Sequence, residues 1–378
     1  MIPTPHTDAL PAPKHVLIET TTRCNLRCKQ CARMIGKYAL ADMTLDTFHL
    51  IEPLFATAEQ VALYGHGETL LYRHFFAMLA ELKQYPPMVY VTTNGTLLTE
   101  AVSERLVELG LDKLAVSLDA ATPALFNEIR RGADFDQVIR NIRTLNAIKK
   151  RYRRDDKPIL SIMYCAMHSN IQELPKLVRL ADELNMTHGV AVMNIYEYEQ
   201  TKGENILRYP ELAARYLREA HILAAKLAIP FDCEESFTVP LPPVQLSIGD
   251  RIYRNDREFR RSFNRTTLLK TKMARILTKA HRFFNKQASH LHPPPSSPSH
   301  TIRVKKCRDP WEFMFIDVHG DVRVCCGSHR IMGNVNREDV LSIWNNQAYQ
   351  EFRARILTTA PPEECHTCLF KGWHDVPG

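Results

Sequence analysis

Short apolar runs alternate with longer amphipathic stretches from about residue 14 to about residue 233. The run His-Val-Leu-Ile at 15–18 predicts a strand, and runs at 61–64, 88–91, 114–118, 159–165 and 190–195 predict five more. The segments between them repeat apolar residues at helical spacing, which predicts helices over 43–54, 73–83, 100–109, much of 123–149, and 171–184. Another helix is predicted over 210–227. Strands separated by helices build βαβ units, because parallel neighbours need a long crossover, so the expected class is α/β with a parallel sheet.

Beyond that helix the rhythm weakens. Pro240, Pro242 and Pro243 mark a break, and the Pro/Ser-rich run at 293–299 reads as an extended linker. Order resumes near Val304. Alternation around Gly320 predicts a β-hairpin, and a short helix is expected near 343–356. The resulting division is an N-terminal arm at 1–13, a main domain at 14–235, a connecting segment at 236–303 and a small C-terminal domain at 304–378.

Charge changes the picture only in the connecting segment. The chain carries a net +7, but residues 251–286 hold twelve Lys/Arg against two acids, a local +10, which leaves 37 basic against 40 acidic side chains elsewhere. Leu269, Met273, Ile276, Ala280 and Phe283 recur at alternating steps of four and three, so 263–284 is expected to be a basic amphipathic helix. Such a face suits a solvated cover over the main domain, an anionic membrane surface, a phosphate-bearing substrate or, third, nucleic acid, although no aromatic-rich RNA-binding motif is present. No run of 18 apolar residues predicts a membrane span, and the first residues lack the basic and apolar regions of a signal peptide. Ten cysteines in a chain of this length, seven of them in ligand-like groups, fit a reducing cytoplasm better than a disulfide scaffold.

The cysteines carry the chemistry. Cys24, Cys28 and Cys31 form a C-x3-C-x2-C run. Structural zinc and ferredoxin clusters take four protein ligands, whereas three thiolates on a four-iron cubane leave one iron open for a substrate or cosubstrate. In the C-terminal part, Cys307, Cys325 and Cys326 are followed by Cys365-His-Thr-Cys368. Two thiolate groups brought together by a hairpin and a returning segment suit zinc or an iron–sulfur cluster.

The three-cysteine run resembles the signature of the radical S-adenosylmethionine (radical SAM) superfamily. The resemblance implies a partial (β/α)6 TIM barrel with chemistry on the loops after the strands, a [4Fe–4S] cluster on Cys24, Cys28 and Cys31, and SAM chelated to the open iron. Gly65-His66-Gly67-Glu68 is similar to the family's Gly-Gly-Glu motif, with Gly67 approaching the cofactor and Glu68 receiving the SAM ammonium; Thr69 replaces the usual proline. Asn94, in Thr-Thr-Asn-Gly-Thr, then faces the SAM pocket, and Ser117 contacts the ribose or carboxylate, with Asp119 read as a helix cap. Either Arg130 or Arg131 resembles a position that pairs with the SAM carboxylate.

The C-terminal pattern, C-x12-G-x4-C followed by C-x2-C, resembles the SPASM extension or its shortened Twitch form. It implies a β-hairpin/helix domain with one auxiliary [4Fe–4S] cluster on Cys307, Cys325, Cys365 and Cys368, with Cys326 as the alternative to Cys325. Cys165 and Cys233 belong to neither group and read first as small buried apolar residues. Cys165 lies at the end of the fifth predicted strand, where a thiol can give a hydrogen atom to a substrate radical. Asn194 and the polar run 196–199 follow the sixth. The expected function is reductive cleavage of SAM and hydrogen abstraction from a small polar metabolite, a carbohydrate or natural-product intermediate, giving oxidation, rearrangement or epimerisation. Electrons would come from a donor such as flavodoxin or ferredoxin. Peptide modification ranks second, because only about a dozen residues precede the first strand and leave no room for a leader-binding domain; tRNA modification ranks third. A non-catalytic iron–sulfur carrier is the alternative from another class.

Overall fold

The computed structural model describes residues 10–36, 39–234, 237, 307–366 and 368, with the backbone of four further strands at 246–248, 251–253, 301–305 and 373–377. Seven parallel strands form its centre: β1 (His15–Ile18), β2 (Gln60–Leu63), β3 (Met88–Thr93), β4 (Lys113–Ser117), β5 (Ile159–Cys165), β6 (Val190–Met193) and β7 (Phe231–Cys233). They lie side by side in chain order. Helices α1 (Leu45–His49), α2 (Phe75–Leu82), α3 (Glu100–Glu108), α4 (Pro123–Ile129), α5 (Phe135–Arg151), α6 (Leu174–Glu183) and α7 (Pro210–Lys226) fill the crossovers.

Strand parity divides the interior, since successive side chains point to opposite faces. Val16, Ile18, Val61, Leu63, Val89, Val91, Leu114, Val116, Leu160 and Ile162 are buried in the main apolar core with the helices. The opposite parity is different: Leu17, Ala62 and Phe315 cluster with Tyr64, Tyr90 and Phe313 on the inner face. That inner face, wrapped by a partial barrel, leads upward to the loops that follow the strands.

Four element-level expectations are refined. The barrel has a seventh parallel strand, β7, too short to show a period. The predicted helix within 123–149 is two helices, because Arg130 leaves helical geometry and Gly132 takes a left-handed φ of 97°. Asp134 then caps the second helix by accepting from Gln137 N. The C-terminal hairpin also joins the barrel sheet. After β8 (Leu246–Ile248), β9 (Arg251–Tyr253) and β10 (Thr301–Lys305) come β11 (Phe313–Ile316), β12 (Asp321–Arg323) and β13 (Gly333–Asn334). β11 runs parallel to β1, pairing His15 with Phe313 and Ile18 with Ile316, and β12 and β13 extend the sheet to ten strands. The helix expected at 343–356 is likewise split, into Val340–Trp344 and Gln347–Ile356, where the Asn346 side chain accepts from Tyr349 N and starts the second. β14 (Trp373–Pro377) pairs antiparallel with β10. The expected basic helix at 263–284 and the linker at 293–299 lie outside the described residues. Among those described, no helix is long and apolar enough to cross a membrane.

Candidate active site

The loop carrying Cys24, Cys28 and Cys31 leaves the C-terminal end of β1 and is clamped from three sides. Thr22 N donates to Ala41 O at 2.9 Å and Thr21 Oγ1 to Asp42 Oδ1 at 2.6 Å. Arg27 N and Lys29 N donate to the carbonyls of Arg131 and Ile129, at the α4–α5 break. Gly67 closes the third side: a Cβ there would lie 2.3 Å from Thr21 O and 2.6 Å from Arg23 O, so only glycine lets the two loops meet. Beside the loop is a cavity of about 470 Å³ lined by Arg23, Cys24, Asn25, Leu26, Arg33 and Met34, among others.

Glu68 follows Gly67 and is almost fully buried. Its carboxylate accepts from Asn94 N at 2.6 Å, Thr93 Oγ1 at 2.7 Å and Leu70 N at 3.3 Å. Burial raises its pKa despite these donors. The Asn94 side chain turns to the cysteine loop: Nδ2 donates to Asn25 Oδ1 at 2.9 Å and reaches Cys24 Sγ at 3.9 Å, while Oδ1 accepts from Thr96. Ser117 ends β4 on the inner-face parity, half-buried and in register with Met163.

The two arginines separate. Arg131 is exposed, and its backbone carbonyl holds the loop. Arg130 is buried: Nη2 pairs with Asp119 Oδ2 at 2.7 Å and Nη1 lies 4.0 Å from Cys28 Sγ. Asp119 is not the helix cap expected from the sequence. Thr122 precedes α4, and the Ala121 and Thr122 amides are held instead by Glu173. Asp119, with no exposed surface, accepts from Arg130, the Gln30 side chain and Cys165 N. Sequence reasoning missed this hub and Gln30, although Asp119 shares the inner-face parity of Ser117. It also missed Glu19, which has the parity of Leu17 and accepts from both His66 N and His66 Nδ1 at 2.7 Å.

The thiols follow their surroundings. Burial raises Cys24 and pushes Cys28 up to about 12, with Arg130 opposing the latter. Cys165 is raised by burial and by Asp119. It keeps some accessible surface, as do Tyr64, Tyr90, Tyr196 and Cys325. Burial raises the Tyr196 phenol, and the nearby Cys368, Cys326 and Cys325 push it the same way. Cys307, Cys325 and Cys365 pack on the core edge, whereas Cys326 is exposed.

Residues 18–181 match the radical SAM superfamily, and residues 307–369 match SPASM, an iron–sulfur cluster-binding domain. The chain is a radical SAM protein with a SPASM domain. Among curated relatives, a tungsten-containing aldehyde ferredoxin oxidoreductase cofactor-modifying protein of Pyrococcus furiosus is 30% identical over 174 residues, covering 44% of this chain and 47% of the relative. A probable GTP 3',8-cyclase of Methanocaldococcus jannaschii is 29% identical over 195 residues, covering 50% and 59%. The chain thus spans about half the length of the curated relatives it matches. Among solved structures, Streptococcus suis SuiB bound to its precursor peptide SuiA aligns at a TM-score of 0.59 with 16% identity, covering 91% of this chain and 67% of that one. A structure of anSMEcpe with bound AdoMet aligns at 0.58 with 17% identity, covering 96% and 86%. These likenesses establish the fold.

A radical SAM protein with this extension uses a SAM-binding [4Fe–4S] cluster, an auxiliary cluster and SAM. The first cysteine loop fits such a group. Leu26 N lies 3.4 Å from Cys24 Sγ, and Asn94 Nδ2 and Arg130 Nη1 approach the sulfurs of Cys24 and Cys28. Donors arranged around sulfur favour thiolate over thiol, as cluster binding requires. Arg130 Nε and Gln30 Oε1 are buried with no partner among the described residues.

Proposed function

We propose that the chain cleaves SAM reductively and abstracts a hydrogen atom from a small polar metabolite, giving oxidation, rearrangement or epimerisation. Cys24, Cys28 and Cys31 hold the SAM-binding cluster, and Cys307, Cys325, Cys365 and Cys368 hold the auxiliary one. When bound, the first cluster and SAM together supply a 5′-deoxyadenosyl radical. Gly67 and Glu68 receive the SAM amino group, while Asn94 and Ser117 border the same pocket. Arg130 is preferred over the exposed Arg131 for the SAM carboxylate, through its unpartnered Nε.

The observation that carries this reading is the buried cluster beside the first cysteine loop, where Arg130 approaches Cys28 Sγ and pairs with Asp119, which also holds the Cys165 amide. Its buried ion pair suits a compact polar molecule, and the relative named as a probable GTP 3',8-cyclase also carries a small-molecule name. Where the outcome is epimerisation, Cys165 is the hydrogen donor: burial keeps its thiol protonated, and the thiyl radical left behind takes one electron from the reducing partner and a proton from solvent. A flavodoxin or ferredoxin supplies electrons, and a reducing cytoplasm protects the clusters and the free thiols.

The test is anaerobic reconstitution, with about eight irons per chain for two four-iron clusters. SAM and dithionite are then added and 5′-deoxyadenosine is measured by mass spectrometry. Its formation, accelerated by a pool of small metabolites, is the expected result. Cluster-loaded protein that forms none refutes the catalytic reading. Acceleration by peptides alone replaces the substrate class. If the product is an epimer, solvent deuterium from D2O should enter its inverted carbon with the wild type and not with Cys165→Ala.

A further inference from the structure

The α4–α5 break brings a permanent cation against one cysteine of the first loop. Arg130 ends α4 with φ −100° and ψ 62°, and Gly132 turns the chain back toward Asn25 and Leu26. Arg130 Nη1 therefore lies 4.0 Å from Cys28 Sγ, while Nη2 is held by Asp119 at 2.7 Å. Asp119 is fixed in turn by Gln30, by Cys165 N and by its own backbone carbonyl, which accepts from Asn170 Nδ2 at 2.8 Å. Every heavy element of this relay is buried except Gln30 and Cys165, which are partly covered.

Charge in such a place acts at low dielectric, so it is not screened away by solvent. Adding an electron to a thiolate-bound cluster makes its sulfurs more negative. A nearby cation or N–H donor favours that reduced state, and a nearby carboxylate opposes it. Arg130 approaches the sulfur directly, whereas Asp119 stands one hydrogen bond behind.

We propose that Arg130 and Asp119 are positioning residues that set the reduction potential of the cluster held at Cys28, in opposite directions. This rests on the three-cysteine reading of the site. Arg130 raises the potential, which brings reduction within reach of a biological donor. Asp119 aims the guanidinium and offsets part of its charge. Because Asp119 also holds the Cys165 amide, the same residue links the cluster to the end of β5.

The experiment is an EPR-monitored redox titration of full-length reconstituted protein, using the reduced-cluster signal that changes when SAM is added. Arg130→Gln should lower the midpoint by at least a tenfold change in the reduced-to-oxidised ratio, about 59 mV for one electron. Asp119→Asn should raise it, and Arg130→Lys, which keeps charge without the fork, should fall between wild type and Arg130→Gln. If Arg130→Gln loses its iron, Arg130→Lys and Asp119→Asn still give the two signs. Unchanged midpoints, or shifts of one sign in both Arg130 and Asp119 variants at normal iron content, overturn the proposal. A wild type with no SAM-sensitive signal overturns the three-cysteine reading itself, and the proposal with it.

Discussion

Gly67→Ala should disable the first cysteine loop while leaving the barrel folded. The added Cβ would sit 2.3 Å from Thr21 O and 2.6 Å from Arg23 O, where real Cβ atoms keep at least 3.0 Å. Both obstacles are backbone, so no rotamer change relieves them. The neighbouring loop must retreat by the missing 0.7 Å at Thr21 (3.0 less 2.3), and the 2.7 Å bond from Glu68 N to Arg23 O stretches with it. Overpacking of this kind costs about 1–3 kcal/mol, and a weakened backbone bond adds roughly 1 kcal/mol. The damage falls next to Cys24. Iron retention after anaerobic gel filtration should drop severalfold, and SAM should no longer perturb the EPR signal, while circular dichroism stays near wild type. Gly110→Ala is the control: its φ of 70° is left-handed, but nothing lies within 4 Å of the new Cβ. Its cost is backbone strain of about 1 kcal/mol, partly offset in the unfolded chain, with full iron content. Equal iron content and SAM response in the two variants would refute the reasoning.

Two further outcomes follow from buried polar groups. Lys149 is 2% exposed with no partner for Nζ among the described residues, and burial lowers its pKa from 10.5 to about 8 against the pull of Asp155 and Asp156. The unfolded chain binds a proton the folded chain lacks between those values, so stability should rise as pH increases from about 8 to 10.5; Lys149→Met should remove that slope and add at most roughly 3 kcal/mol near neutrality, and superimposable urea-denaturation pH profiles would contradict this. Thr93→Val deletes the 2.7 Å donor to Glu68 and should cost about 1–3 kcal/mol and weaken SAM binding in equilibrium dialysis, with Thr93→Ser restoring both; a valine variant with wild-type affinity would show that the hydroxyl does not support the carboxylate.

Six barrel strands were legible because each is a compact apolar run between amphipathic segments, a pattern that needs no knowledge of distant residues. The cysteine motifs were legible for the same reason. Glu68 was found through its glycines, since Gly65 and Gly67 both face contacts that would meet a Cβ within 2.4 Å. What escaped depends on contacts far apart in the chain. Asp119 has a local reading as a cap, and only the fold shows that Arg130, Gln30 and Cys165 converge on it. The break at Arg130 hides inside a sequence with good helix formers, with Gly132 as its one local signal. The partnership of β11 with β1 has no local signature, because strand register is decided by both partners.

That partnership has a consequence for how the molecule is made. The strand that launches the cysteine loop is synthesised well before β11, the strand that satisfies one of its flanks. Until then it offers bare amides and carbonyls, the kind of border that recruits neighbouring nascent chains. Metal delivery is therefore best suited to a late stage of biogenesis, when Glu19 N has found Ile316 O and the launching strand is closed on both sides.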